Sequence, residues 1–164
     1  MAEKNSDNRN DRRKAIDQID AKMINLLQED GRLPNTDIAK RLGISEATVR
    51  GRMKRLIEEG YIQIVAVSNP FKLGFEMAGD LYIHVDMKRI EYVISELKKI
   101  KELWYIVVTT GNTYINAEFV VKTREELNKL VFDRITKIDG VNRIDTSIIM
   151  KFEKRRYSWG TAID

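Results

Sequence analysis

The chain contains no cysteine among its 164 residues, one histidine and only two prolines. Without cysteine it can form neither a disulfide nor a thiolate nucleophile. A zinc site would have to be built almost entirely from carboxylates, because a single histidine cannot supply the usual nitrogen ligands. We therefore expect no metal site and no cofactor.

Long apolar runs and phosphate-binding loops are missing as well. No stretch approaches the roughly 18 apolar residues of a membrane span, and the polar N-terminus does not resemble a signal peptide. Neither GxxxxGK[ST] nor GxGxxG occurs, and the one histidine, His84, is not part of a convergent set of acid, base and nucleophile. We expect a cytoplasmic protein that is neither an enzyme nor bound to a membrane.

Charge is distributed unevenly along the chain. The 29 Lys and Arg exceed the 25 Asp and Glu by only four, so the net charge alone says little about function. Between residues 40 and 55, however, six basic side chains accompany one acid, Glu46. This clustering is typical of a surface that contacts nucleic acid phosphates.

Residues 35–56 read NTDIAKRLGISEATVRGRMKRL and predict two short helices joined by a tight turn. Ala39 is small enough for the helices to approach each other, and Gly43 follows as a left-handed stop. Ser45 is placed to cap the second helix. Three apolar residues of that helix fall at i, i+4 and i+7 and form a buried stripe: Val49, Met53 and Leu56. The pattern is typical of a helix-turn-helix, here over 35–54, whose second helix enters the DNA major groove.

The basic side chains on this second helix are expected to point outward, between the positions of the buried stripe. Base edges are contacted by the N-terminal part of a recognition helix, which favours Glu46, Ala47, Arg50 and Gly51 for that role and leaves Lys54 and Arg55 for phosphate. The predicted DNA-binding residues are Ser45, Glu46, Ala47, Thr48, Arg50, Gly51, Arg52, Lys54 and Arg55. Two alternatives stay open: a helical hairpin with a solvated basic face, and a Gly51 that is merely tolerated on the surface.

The rest of the chain divides around this motif. We expect a flexible arm over 1–15, a DNA-binding domain over 16–60 that begins with a helix at 16–30, and a strand with a linker over 61–79. The strand itself is the β-branched run IQIVAV at 62–67. A second domain follows over 80–154, and a short tail over 155–164 completes the chain.

The second domain has its own rhythm of strands and helices. Strands are predicted at 80–86, 103–110, 113–121 and 141–152, with helices at 90–100 and 125–138, the latter capped by Thr123 in a capping box with Glu126. The order is βαββαβ, as in a ferredoxin-like sandwich with both helices on one sheet face. The fold class is thus α+β, a winged-type helix-turn-helix domain followed by a βαββαβ domain.

The uncovered sheet face is not fully polar in this pattern, since the strand at 103–110 is apolar on both sides. A face of that kind is expected to pack on a second subunit, most simply in a symmetric homodimer. His84 would lie on this face as a sheet or interface residue. The dimer would present two recognition helices to the half-sites of a pseudo-palindromic double-stranded DNA site.

The whole arrangement resembles the leucine-responsive regulator/AsnC (feast/famine) family of transcription regulators, of archaeal type. The resemblance covers about residues 16–153 and is carried most specifically by IDAKMINLLQEDGRLPNTDIAKRLGIS and VRGRMKRLIEEGYIQIVAVSNPFKLG. It implies a dimer built through the C-terminal sheets, assembly to tetramers or octamers, and a small-molecule effector, often an amino acid, bound between subunits.

The resemblance also locates an effector site at the turn between the second and third strands. The matching residues here are Gly111, Asn112, Thr113 and Tyr114, with Asn112 where the family frequently has an acid. An asparagine can only hydrogen-bond an ammonium group that a carboxylate would pair with. Effector binding and a plain hairpin turn both remain open for Gly111 and Asn112.

The leading functional interpretation is a sequence-specific DNA-binding transcription regulator that is modulated by an amino acid or a related metabolite. The alternative is a nucleoid-organising DNA-binding protein with no effector. The two differ in their DNA protection: a regulator protects a defined pseudo-palindrome, whereas a nucleoid protein spreads along DNA with concentration.

Overall fold

The computed structural model describes residues 16–111 and 115–163, whose contacts divide them into two compact units. The helical unit comprises residues 16–66 together with 154–163, and the sheet unit comprises 67–153 apart from 112–114. The boundary at 66/67 falls inside the predicted linker over 61–79. The arm predicted over 1–15 lies outside the described residues.

The helical unit contains the three predicted helices, α1 (Gln18–Glu29), α2 (Asn35–Leu42) and α3 (Glu46–Glu58). A capping box starts α1, in which Asp17 accepts from the Asp20 backbone N–H at 2.8 Å and Asp20 accepts from the Asp17 backbone N–H at 3.1 Å. These reciprocal bonds satisfy two backbone donors that the first turn of a helix leaves free.

One apolar core joins the three helices. It is formed by buried residues of each helix, namely Met23, Ile24, Leu27, Ile38, Ala39, Val49 and Leu56. The predicted stripe on α3 is confirmed, because Val49 and Leu56 are fully buried and Met53 packs against the same cluster. Burial of this stripe fixes which side of α3 faces the protein and which sides remain for other contacts.

The turn between α2 and α3 has the predicted chemistry. Gly43 adopts a left-handed conformation with φ of 67°, which a residue with a Cβ enters only with strain. Its N–H donates to the carbonyl of Ala39, as does the N–H of Ile44 at 3.1 Å. Ser45 then starts α3 as its N-cap. The helix-turn-helix geometry is therefore present.

The sheet unit is built from strands β1 (Met77–Val85), β2 (Leu103–Val108), β3 (Ile115–Val121) and β4 (Val141–Ile148). Helix α4 (Ile90–Leu97) connects β1 to β2, and α5 (Arg124–Asn128) begins the connection from β3 to β4. All pairs are antiparallel, in the order β2-β3-β1-β4. The predicted βαββαβ topology is confirmed.

The second helical connection differs from the single α-helix predicted over 125–138. Thr123 caps α5 by accepting from Glu126 N at 3.2 Å, whereas the Glu126 carboxylate accepts from Lys122 N rather than from Thr123. After α5 the backbone widens into a π-helix over Lys129–Arg134 and tightens into a 3-10 turn over Ile135–Lys137. The wide turns keep the apolar side of the segment on the sheet, with Leu127, Leu130, Val131 and Ile135 all buried.

The helices cover one face of the sheet, as predicted. Buried side chains of that face alternate along β1 and β3 and meet residues of α4 and the 124–137 segment in one core. On the other face, Tyr82 of β1 lies beside Asn116 of β3, and Asn116 lies beside Val107 of β2. This face, named the open sheet face, also carries Tyr105, which is 44% exposed. It is only partly polar, in agreement with the prediction.

The strand predicted over 62–67 does not form in the described chain. Ile64, Val65 and Val67 are exposed, and no described segment pairs with this one. β-branched residues favour an extended backbone, but a strand also requires a neighbour for its N–H and C=O groups. The prediction was wrong for an isolated chain because the sequence pattern does not supply that neighbour.

The C-terminal segment returns to the helical unit rather than standing apart as a tail. Gly160 N donates to Gln28 Oε1 at 2.8 Å, and Gln28 Nε2 donates to Gly160 O at 3.2 Å. Residues 159–162 and the side chains of Ile24 and Tyr61 line a shallow cavity beside α1. The separate tail predicted over 155–164 is therefore part of this unit over its described residues.

Candidate nucleic-acid interface

The start of α3 is held by the Ser45 hydroxyl. Ser45 Oγ accepts from Thr48 N at 3.1 Å and lies 2.8 Å from Thr48 Oγ1. The predicted capping role of Ser45 is confirmed by this geometry, and both side chains remain exposed. The first turn of α3 is consequently capped at its accessible end, with Glu46 placed where the helix dipole favours an anion.

One side of α3 is open to solvent and is named the open α3 face. It comprises residues at i, i+3, i+4 and i+7, which share a side of a helix, namely Ala47, Arg50, Gly51 and Lys54. All four are exposed. Arg50 pairs with Glu46 at 3.0 Å, but its side chain is 69% exposed, and Lys54 lies 3.7 Å from Glu58 with 73% of its side chain exposed. Exposed pairs of this kind are weak, so both cations are available to an anionic partner.

Gly51 lies in the middle of this face. A Cβ built at Gly51 meets no atom within 4 Å among the described residues. Glycine in a helix interior is less favourable than alanine by about 1 kcal/mol, and nothing inside the protein requires its small size here. The position therefore presents bare backbone on the open α3 face.

Arg52 and Arg55 do not share this orientation. Their side chains are only 25% and 24% exposed and are directed at the start of α1. Arg52 Nη1 lies 2.8 Å from Asp20 Oδ1 and 2.7 Å from Asp17 Oδ2, and Arg55 binds the other oxygen of Asp20. The expectation that all basic residues of this helix point outward was wrong for these two, because a buried carboxylate attracts them.

The carboxylate of Asp20 is 1% exposed, and its surroundings keep it ionised. Burial raises the pKa of Asp20. Hydrogen bonds from Arg52, from the Asp17 backbone N–H and from Arg55 outweigh burial, so the pKa of Asp20 lies below its ordinary value. The pKa of Asp17 is also lowered, first by the hydrogen bond from the Asp20 backbone and then by Arg52.

The contacts of Asp17 and Asp20 with α3 were not predicted from the sequence. A signal was present in the pattern. Asp20 precedes Met23, Ile24 and Leu27 by three, four and seven residues, so it occupies the buried stripe of α1. An acid at a buried stripe position requires a cationic partner. The arginines and lysines of α3 could supply that partner.

The basic cluster over 40–55 thus falls into two parts. Arg52 and Arg55 are bound to acids of α1, whereas Lys40, Arg41, Arg50 and Lys54 are exposed. Lys40 and Arg41 lie in the last turn of α2, where the helix dipole favours cations. Of the six basic side chains in the predicted phosphate footprint, four are therefore exposed and two are bound to acids at the start of α1.

The predicted effector turn is described only in part. Gly111 has φ of 103°, the left-handed region that glycine enters most readily, and the flanking strands β2 and β3 pair as the predicted antiparallel hairpin. Asn112, Thr113 and Tyr114 lie outside the described residues. Among the residues that are described, no group of three or more His, Cys, Asp or Glu is arranged to hold a metal ion.

His84 lies on the open sheet face, as predicted. Its Nε2 is 3.1 Å from Asp145 Oδ2 on the neighbouring strand β4. The pKa of Asp145 is lowered, chiefly by hydrogen bonds from Arg143 and also by His84. Within 16–111 and 115–163, no helix has the length and apolar character needed to cross a membrane.

Comparison with known proteins agrees with this geometry. Residues 16–63 match a family described as winged helix-turn-helix DNA-binding, and residues 81–159 match the Lrp/AsnC ligand binding domain. An uncharacterized HTH-type transcriptional regulator of Pyrococcus horikoshii is 35% identical over 152 residues, which cover 92% of this chain and 94% of the relative. A helix-turn-helix unit joined to a sheet unit of this kind defines a DNA-binding transcription regulator. The chain belongs to the Lrp/AsnC family, whose members are regulators and not enzymes.

Solved structures share the fold. The leucine response regulatory protein LrpA of Mycobacterium tuberculosis has a TM-score of 0.78 at 25% identity and matches 85% of this chain and 96% of its own. A transcriptional regulator of Neisseria meningitidis, solved as a complex with L-Met, has a TM-score of 0.77 at 22% identity over 88% of this chain and 96% of its own. The predicted family, α+β fold class and regulatory function are thereby confirmed.

Proposed function

We propose that this regulator reads a specific DNA sequence with the open α3 face. Arg50 and Gly51 lie near the middle of α3, where Arg50 can donate two hydrogen bonds to a guanine edge and Gly51 lets backbone approach the bases. Ala47 and Glu46 lie one turn earlier and complete the base-reading set. The observation that carries this proposal is the division of α3 into a buried stripe, an acid-bound side and a single open side with two exposed cations.

The other predicted DNA-binding residues take different parts in the proposal. Ser45 and Thr48 hold the start of α3, and their exposed hydroxyls could also donate to a backbone phosphate. Lys54, Lys40 and Arg41 bind backbone phosphates. Arg52 and Arg55 are assigned to the protein interior side of the helix, where they bind acids of α1.

The DNA-reading proposal is tested by selecting a binding site from random duplex DNA with the full chain and then measuring the affinity of variants for it at fixed salt. Arg50→Ala is expected to weaken specific binding by about 1–3 kcal/mol. Arg124→Ala, which removes an exposed arginine from the sheet unit, serves as the matched control. An Arg50→Ala variant with the affinity of the control would remove Arg50 from the interface, and recovery of no defined sequence would favour a nucleoid-organising role.

We also propose that the chain acts as a homodimer in the cytoplasm, with the open sheet face as the subunit interface and with further assembly to tetramers or octamers. The open sheet face carries exposed aromatic side chains, and apolar surface of this kind is unfavourable in water. This supports a second copy of the chain as the partner that covers the face. Ile64, Val65 and Val67 are also exposed, and no described strand pairs with this segment. A symmetric dimer matches a pseudo-palindromic DNA site.

Light scattering coupled to size-exclusion chromatography tests the dimer proposal. Tyr105→Glu on the open sheet face is expected to shift the molar mass toward that of one chain. Tyr92→Glu, which places the same charge at a 46% exposed tyrosine of α4, should leave the mass unchanged. Equal masses for both variants would move the interface away from the open sheet face.

We further propose that the sheet unit binds an amino acid or a related metabolite between subunits, near Gly111. The family of its ligand-binding domain supports this, as does the L-Met complex of the structurally similar Neisseria regulator. A thermal-shift screen of the twenty amino acids tests it, followed by Asn112→Ala against any compound that raises the melting temperature. A compound whose effect survives that substitution would be bound elsewhere, and no effect from any of them would argue against an amino-acid effector.

A further inference from the structure

Two arginine side chains of α3 meet at one buried carboxylate of α1. Asp20, near the start of α1, is 1% exposed and offers one oxygen to each of two arginines of α3. Arg52 Nη1 donates to Asp20 Oδ1 at 2.8 Å, and Arg55 donates to Asp20 Oδ2. Asp17 adds a second contact to Arg52 at 2.7 Å and is itself bonded to the Asp20 backbone. The two acids that contact α3 are thus also held in place by the capping box of α1.

The spacing of the two arginines gives this contact a geometric consequence. Residues three apart on a helix lie on the same side, about one turn from each other. A single anchor would leave α3 free to rotate about its own axis by small angles, because the apolar core is not directional. Two hydrogen-bonded anchors separated by one turn restrict that rotation, since charge-assisted hydrogen bonds are directional.

The rotation of α3 decides which residues reach a base edge. Arg52 and Arg55 lie beside the open α3 face, and each residue of a helix is turned by about 100° from the next. A roll by only a fraction of that angle would turn Arg50 and Gly51 away from the base edges. Whatever holds Arg52 and Arg55 therefore also sets the register of the residues that read DNA.

The electrostatic balance of the cluster supports the same conclusion. Asp17, Asp20, Arg52 and Arg55 together carry no net charge, so the cluster does not act as a phosphate-binding patch. Arg55 also contacts Glu59 at 3.3 Å. The acids hold these two arginines in place and remove them from competition with Arg50 and Lys54 for the DNA backbone.

We propose that Asp20 is a positioning residue for DNA recognition, which orients the recognition helix through Arg52 and Arg55 without touching DNA. The inference rests on the proposed DNA-reading role of the open α3 face. In this proposal a residue of α1 contributes to sequence specificity. Arg52 and Arg55 connect Asp20 to α3 and do not themselves contact DNA.

The test compares specific and non-specific affinity in the full chain. Asp20→Asn keeps the size of the side chain but offers a single neutral oxygen, so one arginine loses its anchor. We expect affinity for the selected site to fall by about tenfold, the size of one lost base contact. Affinity for random duplex DNA should stay the same or rise, because the exposed cations are unaltered and one acid no longer neutralises the two arginines. Asp20→Glu, which keeps the charge, is expected to recover part of the specific affinity.

A core variant of the same helix provides the control for a merely structural role. Ile24→Val shortens a buried core residue of α1 without altering the arginine anchors. The ratio of specific to non-specific affinity should stay at the wild-type value in Ile24→Val and fall in Asp20→Asn. If both variants lower the ratio equally, or neither does, Asp20 is not a positioning residue.

A second variant covers the case in which Asp20→Asn does not fold. Arg52→Lys with Arg55→Lys keeps both charges and removes the planar guanidinium geometry, so it should lower the same ratio.

Failure of this inference differs from failure of the proposed function. If Arg50→Ala weakens specific binding while the Asp20 and arginine variants leave the ratio unchanged, only the positioning role is lost, and if Arg50→Ala has no effect, the DNA-reading face itself is wrong.

Discussion

The side-chain amide of Gln28 binds the backbone of Gly160 with both of its polar atoms, although 132 residues separate the two in sequence. Gln28 lies on α1, and Gly160 lies in the C-terminal segment that follows the sheet unit along the chain. The amide nitrogen donates to the Gly160 carbonyl and the amide oxygen accepts from the Gly160 N–H. The contact therefore depends on the backbone of residue 160 and not on a side chain.

Removal of this amide should release the C-terminal segment. Gln28→Ala deletes two partly buried hydrogen bonds, and we expect the free energy of unfolding of the helical unit to fall by about 1–2 kcal/mol. Hydrogen exchange of residues 154–163 should become faster in the same variant. Glu29→Ala, an exposed neighbour on α1, is the control. Unchanged exchange in Gln28→Ala would mean that other contacts hold the segment.

Acid should weaken the helical unit through Asp20. The pKa of Asp20 is lower in the folded chain than its ordinary value of 3.8, so the unfolded chain takes up a proton first as the pH falls. The stabilisation is therefore complete above about pH 5 and is lost as the pH drops through 3.8 toward the folded pKa. Thermal melts at pH 6 and pH 3 should show a smaller difference for Asp20→Asn than for the wild type. Asp37→Asn, at an exposed position of α2, should retain the wild-type difference.

Local rules were sufficient to predict the helix-turn-helix. Gly43 and Ser45 act through backbone conformation and capping, which depend on neighbours within a few residues, and both behave as predicted. The βαββαβ order was equally accessible, because strand and helix periods differ and the turns between them are short. Here the sequence pattern and the structure agree to within a few residues at most boundaries, except that the α-helix predicted over 125–138 ends at Asn128.

Features that depend on distant partners were not predicted. The direction of Arg52 and Arg55 is decided by Asp20, more than thirty residues away, and the position of Gly160 is decided by Gln28. The π-helix over Lys129–Arg134, which buries Leu130 and Val131 on the sheet unit, was likewise not predicted. Of the candidate effector site, only Gly111 lies in the part of the chain that the structure describes, so the rest stays a prediction.

Gly51 offers a substitution with opposite effects on stability and binding. Gly51→Ala should raise the melting temperature by about 2–4 °C, because alanine favours a helix interior by about 1 kcal/mol and no described atom obstructs its Cβ. If backbone at this position approaches the bases, the added methyl group should lower specific DNA affinity.

Gly31→Ala is the matched control for this prediction. Gly31 lies in the turn between α1 and α2, where an added Cβ makes one ordinary contact with the Leu27 carbonyl at 3.7 Å. Its DNA affinity should equal that of the wild type. A Gly51→Ala variant that is more stable and binds the selected site as tightly as the wild type would show that Gly51 is only a tolerated surface residue.

Adjacent residues of α3 give the sharpest test of which cations face DNA. Lys54 is 73% exposed, whereas Arg55 is 24% exposed and bound to Asp20. Each phosphate contact contributes about 0.9 to the slope of log affinity against log salt concentration on B-form DNA. Lys54→Gln should therefore reduce the magnitude of this slope by about 0.9 with little change in stability. Arg55→Gln should leave the slope unchanged and lower the melting temperature instead, because it leaves Asp20 partly unpaired in the interior.

Fluorescence anisotropy on the selected site from 50 to 300 mM salt, at a fixed temperature where both variants are folded, separates the two cases. A reduced slope in Arg55→Gln would return Arg55 to the phosphate footprint that the sequence first predicted for it.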